Sequence, residues 1–503
     1  MRFYRSFAAV LLAGFTLFHL WYIAAGVMNL APDEAYYWEW SRRLDWSYYS
    51  KGPLVAWLIA LTTRLGTDTE FFVRLPAVLL ATGTATLLYI LTARIFRSAR
   101  AAFFAVVICA SMPLFVAGSI LMTIDAPLVF FWTLALYCLF AALEENGRGR
   151  VRWALLGLAL GLGFLAKYTM LLFFLCCGVY GFFVPASRRC LKTAGPYLAV
   201  AVAFVLALPV LVWNWRHDWV SLLHVMERTG LTGGVPRFWA ATAGEFLGAQ
   251  LGITSPLLFW ALGTAMVRAG RAGLRGNDAS QLFLFAFSIP VLAFFLLWSF
   301  HARVEANWAA CAYIAGTVAC AGWWDQLMSK AQNVPAKLRL AGVFVLVLLP
   351  GLALSGVAHF PRTLDSLGIR LPLKLDPTSR LQGWRELGTA VGEILANEGK
   401  DFVLVSDTYQ IASEAAFYVP GRPRVYSINL GRSMNQYDIW GGLEELKGRD
   451  FLFLTEDEEP ATRSMAANCE EIQKLKAIDT FYRGQRGRSF SVFVCRRYAG
   501  PRP

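Results

Sequence analysis

The chain has 503 residues, of which 57% are hydrophobic and 16% are charged. This is more apolar than soluble domains are, and many runs approach the roughly 20 residues that span a bilayer. The formal net charge of +13 does not indicate nucleic-acid binding, because Lys and Arg crowd short loops on one side of the predicted spans. We therefore expect a polytopic α-helical membrane protein.

The apolar runs predict about eleven transmembrane helices. The first run is too long for the apolar core of a signal peptide and is expected to be a signal anchor. The segment 153–184 fits one long span or two; two spans, with a turn near Lys167 and Tyr168, keep the basic loops on either side of it on one face. The predicted spans cover residues 7–27, 71–96, 101–118, 124–143, 153–168, 169–184, 193–213, 244–267, 280–299, 305–323 and 338–358.

Basic residues in the short loops predict the orientation, because cytoplasmic loops carry an excess of Lys and Arg. The N-terminus is then cytoplasmic, and an odd number of spans places the C-terminal tail outside. Four further segments also face outward, at 28–70, 119–123, 214–243 and 300–304. The loop cations are Arg94, Arg97, Arg100, Arg148, Arg150, Arg152, Arg188, Arg189, Lys192, Arg268, Arg271, Arg275, Lys330, Lys337 and Arg339.

The first outer loop, 28–70, concentrates charge among Tyr and Trp residues directly after the first span. Its acidic pair, Asp33 and Glu34, has the chemistry of a general base for an acceptor hydroxyl. Two alternatives stay open: a solvated loop carboxylate, and a divalent cation held by the carboxylate oxygens. Tyr36 and Tyr37 are candidate supporting residues beside the pair.

The same loop ends in Lys51-Gly52-Pro53. Gly-Pro allows a sharp turn into a helix with Pro in its first turn, and a lysine at a helix N-terminus favours an anion. The functional interpretation is phosphate binding. The alternative is a lysine that extends its head to the membrane interface.

Two charged residues border predicted spans farther along the chain. Asp125 precedes Ala126-Pro127 at the outer start of a span, where it is a helix cap, a site residue or both. Lys167 stands alone in an apolar stretch, and a lone intramembrane lysine is a functional hypothesis with snorkelling as its alternative.

The outer turn at 301–308 packs several polar groups into a few residues. Arg303 suits bidentate phosphate recognition, and His301, Glu305 and Asn307 are candidate supporting residues. The alternative is a capped helix start with Trp308 in the aromatic belt.

The composition becomes more polar near Pro361. A helix is predicted at 382–397 and a short one at 413–418, and strands are predicted at 402–405, 425–428, 451–454 and 489–494. We therefore divide the chain into a transmembrane domain, 1–360, and an extracytoplasmic α/β domain, 361–503. Cys469 and Cys495 are the two cysteines of the tail and are candidates for a disulfide if the tail lies outside.

Several of these stretches resemble the bacterial branch of the dolichyl-phosphate-mannose protein mannosyltransferase family, in the GT-C glycosyltransferase superfamily. Its members include the aminoarabinose transferase of lipid A and galacturonosyltransferases of the lipopolysaccharide core. In the aminoarabinose branch an acidic residue precedes the motif lysine where Ser50 stands here, so the resemblance does not fix the sugar or the acceptor. The similar stretches are Asp33-Glu34, Ser50 to Leu54, Phe72 to Pro76, Leu121 to Pro127, Ala166-Lys167, Arg303 to Trp308, Ser379 to Trp384 and Asn435 to Asp438.

The resemblance implies a GT-C fold and an inverting transferase that uses a polyprenyl-phosphate sugar at the outer face of the bacterial inner membrane. Its acceptor would be lipid A, the lipopolysaccharide core or another envelope glycan, less often a protein. At matching positions, Asp33 would be the catalytic carboxylate and Asp125 a supporting one. Lys51, Lys167 and Arg303 would bind the donor phosphate.

A transporter or flippase for polyprenyl-linked sugars or lipids is the alternative function, with the intramembrane charges as substrate sites. No two-half repeat supports that alternative. The sequence has no G-x-x-x-x-G-K-[ST] loop, so we expect no nucleotide cofactor. The requirement for a divalent cation stays open.

Overall fold

A computed structural model describes residues 2–145, 149–228, 240–369, 371–398, 402–457 and 463–500. Arg148 and the middle of the predicted outer loop 214–243 lie outside these ranges. The chain forms two compact units, each built from separate stretches of sequence. Unit 1 contains residues 1–23, 51–55 and 74–359, and unit 2 contains residues 24–50, 56–73 and 360–503.

Helices make up nearly all of the chain as far as His359. They are α1 (Arg2–Ala24), α2 (Pro32–Ser41), α3 (Leu54–Leu65), α4 (Glu70–Phe96), α5 (Ala99–Ser111), α6 (Pro113–Gly118), α7 (Asp125–Glu144), α8 (Arg150–Ala166), α9 (Leu172–Phe183), α10 (Gly195–Arg216), α11 (Val220–Arg228), α12 (Ala240–Thr254), α13 (Pro256–Gly276), α14 (Ala279–Ala286), α15 (Ile289–Ser299), α16 (Ala310–Lys330) and α17 (Val334–His359). Short 3₁₀ helices add Tyr168–Leu171, Pro185–Lys192 and Ala306–Ala309.

Within the described residues, six helices are long and apolar enough to cross a membrane, or up to eight spans if each of two bent helix pairs counts as one. The chain is therefore a polytopic α-helical membrane protein. The six are α1, α4, α7, α10, the segment Ala279–Ser299 that joins α14 to α15, and α17.

Two stretches predicted as continuous spans contain breaks at prolines. The predicted span 244–267 becomes α12 and α13, which meet at an angle of 101°. The bend lies at Ser255, whose φ is +73°, just before Pro256. The predicted span 101–118 is likewise divided before Pro113. Proline lacks the N–H that a helix needs and disfavours helical geometry in the preceding residue, so apolar runs alone did not predict these breaks.

Unit 2 is built around a five-stranded mixed sheet in the order β2-β1-β3-β5-β4. Strand β1 is parallel to β2 and β3, whereas β5 is antiparallel to β3 and β4. The strands are β1 (Val403–Ser406), β2 (Val425–Ser427), β3 (Phe451–Thr455), β4 (Glu471–Tyr482) and β5 (Gln485–Arg496); the helices are α18 (Arg362–Ser366), α19 (Trp384–Glu398), α20 (Tyr409–Tyr418) and α21 (Gln436–Trp440). Further 3₁₀ helices are Leu373–Leu375, Pro377–Leu381 and Leu443–Leu446.

The core of the sheet is apolar and closed by a disulfide. Val405, Phe453 and Phe493 are neighbours on adjacent strands and pack in one buried cluster. Cys469 is bonded to Cys495 of β5. The sheet and its helices therefore provide a rigid support for the remaining segments of unit 2.

Candidate active site

Asp125 is the centre of a polar cluster in unit 1. One carboxylate oxygen accepts a hydrogen bond from Lys167 Nζ at 2.7 Å, and the other accepts one from Asn307 Nδ2 at 2.6 Å. Asp125 is the first residue of α7, the N-cap is Ile124, and the Thr123 hydroxyl accepts from the backbone N–H of Asp125 at 3.3 Å. The carboxylate is therefore committed to its two side-chain partners rather than to the helix end.

Lys167 reaches Asp125 because the helix ends just before it. α8 stops at Ala166, and Lys167 adopts extended backbone angles before the next 3₁₀ helix begins. The residue is buried, so its charge is removed from water and needs the carboxylate partner. This burial and pairing exclude the snorkelling alternative.

Asn307 is placed by a separate set of hydrogen bonds. It lies in the 3₁₀ helix Ala306–Ala309. Gln250 of α12 donates to the backbone oxygen of Ala306 at 3.1 Å and accepts from the Tyr313 hydroxyl at 2.8 Å. Two helices thus fix the short turn that holds the second oxygen of Asp125.

The Lys51 motif packs against the same end of α8. A Cβ atom on Gly52 would lie 2.1 Å from the carbonyl oxygen of Leu165, so only glycine allows this approach. Leu165 precedes Lys167 by two residues. The two lysines are therefore attached to backbone segments in direct contact.

Helix α11 adds residues that the sequence did not single out. Burial, together with the positive charges of Lys51 and Arg228, lowers the pKa of His224 to about 4. Arg228 lies 4.0 Å from Glu305 in the turn before Asn307. His224 is one of only five histidines in the chain, and its place on a short amphipathic helix in an outer loop was the available signal.

The remaining candidates of the 301–308 turn are more exposed. Arg303 and Glu305 are exposed, and the His301 ring lies edge-on to Trp298. Arg303 shares the turn with Asn307 and makes no ion pair within the described residues. The cluster around Asp125 can thus offer several cations to an anionic group, with one carboxylate to orient Lys167.

The acidic pair of the first outer loop belongs to unit 2, on α2. Asp33 is exposed and accepts a hydrogen bond from the Tyr409 hydroxyl at 3.1 Å. Glu34 is fully buried and accepts from the backbone N–H of Ala31 at 2.9 Å, as in a capping box. Glu34 therefore holds the start of the helix, and its assignment from sequence as a catalytic carboxylate stays a prediction.

Tyr36 and Tyr37 are buried in the packing of α2. The Tyr36 hydroxyl accepts a hydrogen bond from the backbone N–H of Gln436 at 2.6 Å, and its ring stacks on Tyr437. Burial raises the pKa of Tyr36 well above its usual value. Its supporting role is thus to hold α2 in place. Tyr37 packs against Trp40 of the same helix.

Residues on either side of α2 are clamped to the C-terminal part of unit 2. The Asn29 side-chain oxygen accepts from the backbone N–H groups of Trp384 and Arg385 at 3.0 and 3.3 Å. Glu70 accepts hydrogen bonds from Arg385 and Tyr418. The segment that carries Asp33 is therefore integral to unit 2.

No group of three or more His, Cys, Asp or Glu side chains within the described ranges is arranged to hold a metal ion. Asp33 and Glu34, the metal-binding alternative, face different surroundings, one exposed and one buried. The polar groups that do converge are the lysine, carboxylate and amide around Asp125.

The chain is similar to known proteins in family, sequence and structure. Residues 50–213 match the family model of dolichyl-phosphate-mannose-protein mannosyltransferases. The chain is 28% identical over 434 residues to the lipid A galacturonosyltransferase RgtD of Rhizobium johnstonii, covering 82% of this chain and 84% of that protein. It is 31% identical over 178 residues to the undecaprenyl phosphate-alpha-4-amino-4-deoxy-L-arabinose arabinosyl transferase of Pseudomonas aeruginosa, covering 32% of each.

The fold is shared with a solved membrane enzyme. The crystal structure of ArnT from Cupriavidus metallidurans bound to undecaprenyl phosphate matches with a TM-score of 0.62 at 16% identity, over 98% of this chain and 99% of that one. The likeness covers both units, so it includes the segments that carry Asp33 and Asp125.

Proposed function

We propose that this chain, which belongs to the dolichyl-phosphate-mannose-protein mannosyltransferase-like family of the GT-C superfamily, transfers a sugar from a polyprenyl-phosphate donor to an envelope glycolipid with inversion at the anomeric carbon. The observation that carries the proposal is the contact of Asp125 with Lys167 and Asn307, beside the segment of Lys51. This arrangement offers fixed positive charge to a phosphate leaving group.

The relatives guide the choice of donor and acceptor. We assign lipid A as the acceptor and a uronic acid as the sugar, because the alignment with the Rhizobium lipid A galacturonosyltransferase extends over 82% of the chain. Undecaprenyl phosphate, or a polyprenyl phosphate of similar length, is the proposed carrier, because it is bound in the structure of similar fold. An open groove lined by apolar side chains of α1, α4, α5 and α7 and by Asp125 has the apolar character that suits a lipid chain.

The orientation follows from the basic loops. We place the N-terminus in the cytoplasm, eleven spans in the bacterial inner membrane, and the α/β part of unit 2 in the periplasm. The helices α5 to α6 and α12 to α13 each then count as one broken span. In this orientation transfer takes place at the outer face of the membrane.

In the proposed reaction an acceptor oxygen attacks the anomeric carbon while the bond from that carbon to the donor phosphate oxygen breaks. If the acceptor atom is a hydroxyl oxygen, Asp33 takes its proton as general base; if it is a phosphate oxygen, no proton is transferred. Lys51, Lys167 and Arg303 stabilise the charge on the departing polyprenyl phosphate. Asp125 orients Lys167.

The test is mass spectrometry of the envelope glycolipids of a deletion strain, complemented with wild type or a variant. We expect lipid A to lose one hexuronic acid in the deletion strain and wild type to restore it. Asp33→Asn should restore less than about 1% of the product at equal protein level, since a general base contributes 10²–10⁴-fold. Glu386→Gln, which removes an exposed carboxylate from α19 of the same unit, is the matched control and should restore it fully.

Two results would contradict the proposal. Full restoration by Asp33→Asn would exclude Asp33 as the base. An unchanged glycolipid profile in the deletion strain, with expression of the protein confirmed in the parent, would exclude the transferase function.

A further inference from the structure

Unit 2 contains a polar cleft, separate from Asp33, that the proposed reaction does not use. It is formed by the chain from Leu373 to Gln382 together with the end of the β4–β5 hairpin, and its volume is about 380 Å³. We call it the hairpin cleft. Its polar lining is Lys374, Ser379, Gln382, Thr480, Tyr482, Gln485, Arg486 and Arg488.

The walls of the cleft are held rigidly. Arg483, at the hairpin tip, has a side chain that is 0% exposed and forms ion pairs with Asp365 at 2.7 Å and Asp376 at 2.9 Å. Gln485 donates to the backbone oxygen of Leu371 at 3.1 Å. The hairpin is thus fixed to the segment that supplies Lys374, so the cleft is preorganised.

The floor of the cleft needs a close approach of backbone to side chain. Gly383 has a φ of +90°, and a Cβ there would lie 2.8 Å from the Thr480 hydroxyl oxygen. That hydroxyl accepts from the backbone N–H of Arg488 at 2.9 Å. Glycine at this position therefore keeps the chain from Ser379 to Gln382 against the hairpin.

The charge of the lining is positive. It contains three cations and no carboxylate. Arg486 is oriented by Asp479 at 2.6 Å and Arg488 by Glu456 at 2.6 Å, both from outside the lining. Lys374 is exposed and makes no ion pair within the described residues. Guanidinium and ammonium groups bind phosphate or carboxylate, while the amides and hydroxyls between them suit the hydroxyls of a sugar.

The segment that forms one wall of the cleft is also the segment that leaves the membrane. It begins directly after α17, the last helix long enough to span. Its apolar side chains are strongly exposed, with Leu367 at 72% and Leu375 at 68%, and Ile369 and Phe360 also exposed. Such an apolar segment with nearby cations is typical of a chain that lies in the lipid headgroup region. One wall of the cleft therefore continues a segment whose composition suits the lipid headgroup region.

We propose that the hairpin cleft binds the phosphorylated sugar headgroup of the acceptor glycolipid and so selects the acceptor. The identification of this glycolipid as the acceptor rests on the proposed function. Binding of its headgroup does not depend on sugar transfer. Lys374 and Arg486 bind the phosphate, and Gln382 and Gln485 bind the sugar. The exposed apolar side chains of Leu367, Ile369 and Leu375 contact the lipid beside the acyl chains.

The test uses the full chain in phosphatidylcholine nanodiscs with three probes: bis-phosphorylated lipid A, dephosphorylated lipid A and inorganic phosphate. The variant is Lys374→Gln/Arg486→Gln. The matched control is Lys447→Gln/Arg497→Gln. The Arg497 side chain is 72% exposed, against 62% for Arg486, and each of the two arginines pairs with one carboxylate, Glu470 and Asp479 respectively. We expect the cleft variant to bind bis-phosphorylated lipid A about tenfold more weakly than wild type does. The control variant should bind it with wild-type affinity. Dephosphorylated lipid A should bind to all three proteins with the same affinity.

Transfer kinetics provide the second measurement. The acceptor KM should rise about tenfold in the cleft variant, with kcat and the donor KM unchanged. Equal loss of affinity in both double variants, or inorganic phosphate binding as tightly as lipid A, would overturn the proposal. An unchanged acceptor KM in an active enzyme would also overturn it and leave the transferase function standing. A cleft-dependent affinity for lipid A in a chain that transfers no sugar would overturn the transferase function and keep the cleft.

Discussion

At the scale of single residues, Lys167 is a lysine of which only 7% of the surface is exposed. A buried ammonium group is costly unless it is paired and hydrogen-bonded. Asp125 supplies the pair, and Asn307 occupies the second carboxylate oxygen. Because both oxygens are occupied, Asp125 is suited to orient Lys167 rather than to attack or deprotonate a substrate. The lysine keeps further N–H donors for an anionic ligand.

The first prediction concerns this pair. Lys167→Met and Asp125→Asn should each lower kcat/KM about 100-fold, since each removes or misplaces a charge on the leaving phosphate. The double variant should lose much less than the product of the two effects, because the residues act as a unit. Steady-state kinetics on wild type, the two single variants and the double variant measures the coupling.

The control is Arg94→Met/Glu144→Gln, which breaks a more exposed ion pair of unit 1. It should leave kcat/KM within about twofold of the wild-type value. Independent, multiplicative effects at Lys167 and Asp125 would contradict the assignment.

The second prediction concerns His224, whose pKa is lowered to about 4 by burial and by Lys51 and Arg228. At pH 5.5 the imidazole is therefore neutral in the free protein. A phosphate bound near Lys51 raises the pKa of His224, because a negative charge favours the protonated ring. Binding of polyprenyl phosphate at pH 5.5 should then take up more protons in wild type than in His224→Gln.

Calorimetry of that binding in two buffers of different ionisation enthalpy gives the number of protons taken up. The phosphate titrates in the same pH range, so the difference between wild type and His224→Gln is the quantity to compare. His217→Gln, on the preceding turn, serves as the control for loss of a histidine. Equal proton uptake in all three proteins would show that the phosphate does not bind near His224.

At the scale of elements, the approach of the Lys51 segment to α8 depends on one glycine. Gly52→Ala places a Cβ 2.1 Å from the Leu165 carbonyl oxygen, so backbone must move and Lys51 moves with it. We expect kcat/KM to fall at least about tenfold while membrane insertion stays normal, because misplacement by about 1 Å costs up to 10²-fold. Gly178→Ala is the matched control, because a Cβ atom at this helical glycine would have no atom of another part of the chain within 4 Å. Wild-type kinetics for Gly52→Ala would show that Lys51 has no part in the site.

The sequence predicted most of the helices and strands but not their interruptions. The predicted strand at 402–405 agrees with β1, and the predicted helix at 382–397 agrees with α19, because apolar spacing carries that information. Strand β4 was missed because it is a sheet edge, where charged residues replace the expected alternation. The helix α2 was missed because its aromatic and charged residues show no amphipathic pattern and its burial comes from packing against α20.

The candidate site could be predicted only in part, for the same reason. Asp125, Lys167 and Asn307 stood out as charged or polar residues next to apolar runs, but their mutual contacts join three distant parts of the chain. Glu34 could not be separated from Asp33 by sequence, since the difference between them is burial. Gln250 gave no sequence signal, because a glutamine that supports a turn differs from any other polar residue only through its contacts.

At the scale of the whole molecule, each compact unit is assembled from stretches distant in sequence. Unit 2 joins residues 24–50 and 56–73 to the C-terminal part of the chain. Asn29 and Glu70 fasten the two ends of that N-terminal stretch to α19 and α20. Asp33 is therefore positioned by residues that follow it by more than 300 positions. Changes in the C-terminal region of the chain are expected to affect the proposed base, Asp33, as well as the hairpin cleft.

The last prediction tests the orientation of unit 2 through its disulfide. The chain has nine cysteines; Cys469 and Cys495 are bonded, and the other seven are free thiols. Disulfides persist in the periplasm and are rare in the cytosol. Spheroplasts treated with a membrane-impermeant reductant should therefore gain two sites for an impermeant maleimide, counted by mass shift.

The control variant, Cys469→Ser/Cys495→Ser, should gain no sites. It should also unfold at a lower temperature, because a disulfide between residues 26 positions apart stabilises the fold by about 3 kcal/mol. If wild type gains no sites until the membrane is permeabilised, unit 2 lies in the cytoplasm. The proposed base, Asp33, and the hairpin cleft would then be on the wrong side of the membrane for the proposed outer-leaflet acceptor.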